Sequence, residues 1–103
     1  MRPAYSYLGD FKIAPKVIAD ICIYEAMQFP TVHKVLKVKN SVTSGGWLML
    51  ELDVSMKFPC RVTEQADAVA KRVKEAIEEF TAVTVRYVHV HVKDLYLKDT
   101  DKH

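Results

Sequence analysis

His89 and His91 stand two residues apart in the alternating run Val88-His89-Val90-His91-Val92, and in an extended chain that spacing puts both imidazoles on one face. Two imidazoles so placed can begin a metal site, but a site also needs a third or fourth ligand and groups that orient the rings. His33 could contribute from another extended segment, although nothing in the spacing sets its distance. Two histidines on a polar strand face are ordinarily solvated, so no metal and no cofactor is expected. Glu51 and Asp53 repeat the same two-residue geometry. A carboxylate pair can share acid and base work when a cleft drives its two pKa values apart. On an open strand the pair is solvated or ion-paired, here to Lys57 or Arg86, and no catalytic residue is expected. Cys22 and Cys60 lie far apart among apolar neighbours and read as reduced, buried thiols. No Gly-x-Ser-x-Gly, phosphate loop or dinucleotide fingerprint occurs, and Gly45-Gly46 alone marks a turn. A non-enzymatic domain follows.

The elements that would position these residues can be read from periodicity. Tyr5, Tyr7, Phe11 and Ile13 share one parity, which predicts a strand over 5–13. Pro15 opens a helix in which Val17, Ile18, Ile21, Cys22 and Glu25 recur at helical spacing, and Phe29-Pro30 closes it. Thr31 to Lys39 is the next strand, with Val32, Lys34, Leu36 and Val38 on one side. After a polar loop, Leu48, Leu50, Leu52, Val54, Met56 and Phe58 face one way while Glu51, Asp53, Ser55 and Lys57 face the other. A strand with one dry face belongs to a sheet covered on one side. Thr63 is the expected cap of a second helix, whose stripe runs from Ala66 through Val69, Val73 and Ile77 to Phe80. Val83 to Leu97 forms a last strand whose parity changes near Arg86-Tyr87, predicting a bulge there. The expected fold is an α+β two-layer sandwich of β-α-β-β-α-β order, with a four-stranded mixed or antiparallel sheet and two helices on one face.

Length and composition agree with one domain over 1–103, its core at about 5–97 and a charged C-terminal tail. Half of the 103 residues are hydrophobic and 27% are charged, enough for one core and a soluble surface. The net charge of +2 is too small to attract nucleic acid or anionic lipid at long range. No secretory leader is visible, and Val17 to Met27 is broken by Asp20 and Glu25 and falls short of the roughly 18–20 residues of a membrane span. A cytoplasmic protein without direct membrane insertion is expected.

Nearly the whole chain, about residues 9 to 96, resembles the alkaline shock protein family, the Gls-type envelope stress response proteins. The resemblance rests on Gly9, Phe11 and Ile13, on Val17-Ile18 and Ile21, and on Phe29-Pro30-Thr31-Val32. It continues in Leu50-Glu51-Leu52-Asp53-Val54, Thr81-Ala82-Val83-Thr84-Val85 and Val88-His89-Val90-His91-Val92. Thr31, Pro59 and Ala82 depart from it, standing where the family often has glycine, as does Ala14, where it often has serine. The resemblance implies a cytoplasmic protein of cell-envelope homeostasis without catalytic residues. It also implies protein partners, either a membrane-anchored protein that holds it near the membrane or a protein of lipid metabolism.

The serious rival is an RNA-binding module, because β-α-β-β-α-β is also the order of the RNA recognition motif. That motif stacks bases on a basic, aromatic central strand, whereas Glu51 and Asp53 here would repel phosphate, so no nucleic-acid partner is expected. A histidine-based metal protein is the other alternative. Trp47, Met49, Tyr87, His89 and His91 fall on the side of the sheet away from the helices, and form the expected contact face for a protein partner or a second copy.

Overall fold

The computed structural model describes residues 13–97. Within them the order is α1 (Pro15–Met27), β1 (Val32–Val42), β2 (Leu48–Phe58), α2 (Val62–Thr81) and β3 (Val85–Leu97). The fold is α+β, but the expected four-stranded β-α-β-β-α-β sandwich is corrected to α-β-β-α-β with one three-stranded sheet, ordered β1-β2-β3. The expected first strand lies outside the described residues except for its last residue, Ile13. That residue pairs with no strand and instead packs against the core from the segment ahead of α1.

The sheet is mixed. β1 and β2 run antiparallel as a hairpin. Its turn is held by Thr43, whose Oγ1 accepts from the Gly45 and Trp47 amides at 3.2 and 3.0 Å, and by Gly46 at φ 86°, a conformation that favours glycine. β2 and β3 run parallel, which requires a long crossover. The 20 residues of α2 span about 30 Å, close to the roughly 36 Å of an 11-residue strand, so the helix returns the chain to the start of β2. There the Leu48 amide donates to the Thr84 carbonyl at 2.9 Å and the parallel ladder begins.

Both helices cover the same sheet face. Leu48, Leu50, Leu52, Val54 and Met56 of β2 are buried against Ile18, Cys22 and Ala26 of α1 and Val69, Val73 and Ile77 of α2. The two helices are also tied by charge, since Arg72 Nε donates to Glu25 Oε1 at 3.0 Å and Glu25 is nearly buried. That carboxylate raises the Arg72 pKa by hydrogen bonding and by attraction.

Three local expectations change. α2 begins at Val62, so Thr63 lies inside the helix, and Arg61 precedes it without a side-chain cap. Phe80 ends the expected stripe but is exposed, as part of a shallow apolar groove with Val17, Ile21 and Tyr24. In β1 the register slips past His33 and again past Leu36, so Val32, Val35 and Val38 face inward at three-residue spacing and Leu36 is exposed. The expected bulge in β3 is present: Val85 pairs with Leu48 and Tyr87 with Met49, skipping Arg86. No described helix is long and apolar enough to cross a membrane.

Candidate functional site

Strand alternation sends every second residue of β2 away from the helices, and no described element lies over that outer face. β3 joins β2 directly, so its register decides which outward residues meet. Met49 is opposite Tyr87, Glu51 opposite His89, and Asp53 opposite His91. The Arg86 bulge is what makes this possible: by absorbing one residue it turns Tyr87, His89 and His91 outward and Val88, Val90 and Val92 toward the core.

The expected contact residues therefore do come together. Tyr87 and His89 stack with ring centroids 4.1 Å apart and planes 17° from parallel, and His89 meets His91 edge-on at 6.3 Å. His91 Nε2 lies 3.8 Å from Glu51 Oε1. A depression of about 210 Å³, lined by Lys39, Asn40, Ser41, Met49, Glu51 and Tyr87, opens beside this row. Trp47 stands at its end, just before β2, half exposed, with the Arg86 guanidinium 5.0 Å from its ring centroid. Arg86 is thus engaged with an aromatic ring.

His33 does not join the other two histidines. It stacks on Tyr96 at 4.1 Å and 3°, so the ring pair reaches from β1 to β3 across β2. Ser55, at the same level of the outer face, is buried. Tyr96 faces outward because the register slips a second time, past Lys93, a slip that the run Leu95-Tyr96-Leu97 leaves ambiguous in the sequence. Glu51 and Asp53 lie on the outer face as expected, on an open surface in which Glu51 lies beside the imidazoles.

A family model describing a cell envelope-related function matches residues 38–97, more than half of the chain, from the middle of β1 to the end of β3. The chain belongs to the alkaline shock protein 23 family. The resemblance seen in the sequence is thereby established for the second half of β1, for β2, α2 and β3, while its earlier motifs, from Gly9 to Val32, precede the matched span. Family membership gives the protein a cell envelope-related function. A search of curated proteins finds no match.

Among solved structures the fold is similar to that of MamM CTD. The form spanning residues 215–293 is 16% identical, with a TM-score of 0.58, covering 79% of this chain and 99% of that one. A single-residue variant of MamM is 14% identical with the same TM-score, over 81% and 99% of the two chains. The copper form of a further MamM CTD variant is 16% identical with a TM-score of 0.57, over 79% and 98%. At these identities the likeness is one of fold.

Proposed function

We propose that this member of the family is a non-enzymatic protein-binding or scaffolding domain of the envelope stress response. It would work in the cytoplasm, either held near the membrane by a membrane-anchored partner or bound to a protein of lipid metabolism. The observation that carries this proposal is the continuous outer row of Trp47, Met49 and Tyr87 on a sheet face that no described element covers. Aromatic residues and methionine are enriched where proteins dock, because they present a large contact area and can still tolerate water. The lysines and carboxylates around the row supply a polar rim.

The same face argues against an RNA-binding role. Its central strand presents Glu51 and Asp53 where a base-stacking sheet needs aromatic and basic residues.

A photo-crosslinking side chain at position 49, activated in cells, tests the proposal. A membrane protein or a lipid-metabolism protein is expected in the adduct, with capture reduced severalfold by Tyr87→Ala. Adducts confined to ribosomes or RNA would overturn it.

A further inference from the structure

Glu51, His89 and His91 each offer one ligand atom, and the three atoms all lie within 4.8 Å of one another. We propose that these side chains bind one divalent transition-metal cation of the zinc class. This inference does not rest on the docking role, because all three ligands belong to a single chain.

The chemistry of the donors selects the ion. Two imidazole nitrogens and one carboxylate oxygen suit zinc, copper and nickel, whereas magnesium and calcium call for oxygen ligands. Around a tetrahedral zinc with bonds of about 2.0–2.1 Å, ligand atoms sit about 3.3 Å apart. The Glu51 Oε1–His91 Nε2 separation of 3.8 Å is already close to that value, and rotation of exposed or half-exposed side chains brings the three atoms together.

The fold already fixes where the ligands stand. Glu51 lies directly across from His89 in the parallel ladder, and His91 follows two residues along the same face. Sites built on paired strands hold their geometry better than sites on loops. Tyr87 stacks on the His89 ring and limits its rotation. Among the described residues, Glu51 Oε1 and His91 Nε2 face each other at 3.8 Å and His89 lies against the Tyr87 and His91 rings, so the donor atoms already converge on one another. One ligating carboxylate leaves a bound dication with a single excess positive charge, and Asp53, opposite His91, adds a second carboxylate nearby, itself across from Lys37 on β1. Lys39, opposite Glu51 on β1, opposes the ion, but an exposed ammonium is screened over about 8–10 Å and does not compete with direct coordination. With three protein ligands, the remaining positions are left to water or to a donor from outside the chain.

The experiment is calorimetric titration of the full, tag-free chain with zinc chloride alone at neutral pH, with magnesium chloride as the comparison. One equivalent of zinc should bind and magnesium should not. His91→Ala and the near-isosteric Glu51→Gln should each weaken zinc binding by at least the roughly tenfold that loss of an outer-sphere partner produces. His33→Ala should leave it unchanged, since that ring stacks on Tyr96. Circular dichroism of each variant confirms that these surface changes keep the fold. No zinc binding at hundreds of micromolar would overturn the proposal. So would binding that survives both His91→Ala and Glu51→Gln, or that is lost equally with His33→Ala.

Discussion

Cys22 lies on the inward side of α1 with no exposed surface, and burial pushes its thiol from 9.0 up to about 12. A thiol that does not ionise does not attack, so a disulfide reagent at pH 8 should label the native chain once, at Cys60, and twice after denaturation. The same shift links stability to pH. Between about pH 9 and 12 the unfolded chain has released this proton while the folded chain keeps it, so the folded state binds more protons and stability falls as pH rises. Below pH 9 the effect is absent. Urea unfolding at pH 8 and at pH 10.5 should show a loss in the natural chain that is smaller in Cys22→Ala. The helical spacing of Ile18, Ile21 and Cys22 made this burial legible from the sequence, whereas Cys60, expected to be buried as well, is only half covered. Glu51 shows the opposite limit. Its place beside His89 and His91 follows from the parallel ladder, and no spacing along the chain encodes which strand is a neighbour.

How α2 ends decides how β3 enters the sheet. Ala82 closes the helix in the left-handed region, at φ 60° and ψ 17°, with its amide donating to the Glu78 carbonyl at 3.1 Å. Glycine usually fills this position because a Cβ costs about 1–2 kcal/mol there. The family resemblance marks the same residue, standing where glycine is common. Ala82→Gly should therefore raise stability by about 1 kcal/mol, the relief at φ above zero outweighing glycine's greater freedom in the unfolded chain. Thermal unfolding would show the midpoint rise by a few degrees, and a fall would mean that the helix ends differently. Elements with unbroken periodicity, α2 and β2, were legible in the sequence. So was the Arg86 bulge, because Val85 and Val88 cannot both point inward without it. β1 was legible as a strand but not in its inward face, because slips at His33 and Leu36 convert its inward period from two to three, and Leu36, apolar yet exposed, preserves a false alternation with Val32 and Val38. The second slip of β3, past Lys93, was harder to read because Leu95, Tyr96 and Leu97 are consecutive large apolar residues that fix no parity.

At the scale of the molecule the sheet separates two tasks. One side is a single core shared by both helices and the middle strand, where Leu50, Leu52, Val54 and Met56 are fully buried. The other carries Trp47, Met49, Tyr87, His89 and His91, outside the core that the helices cover. Folding therefore draws on one set of residues and the proposed recognition on another, so the two can be perturbed independently. Leu52→Ala leaves a cavity beneath both helices and should lower unfolding stability by about 2–5 kcal/mol in a denaturant titration. Tyr87→Ala removes a half-exposed ring from the outer face and should leave the same titration nearly unchanged while it weakens partner capture. If Tyr87→Ala unfolded the chain as readily as Leu52→Ala, the outer face would be part of the core, and its rings could not be spared for a partner.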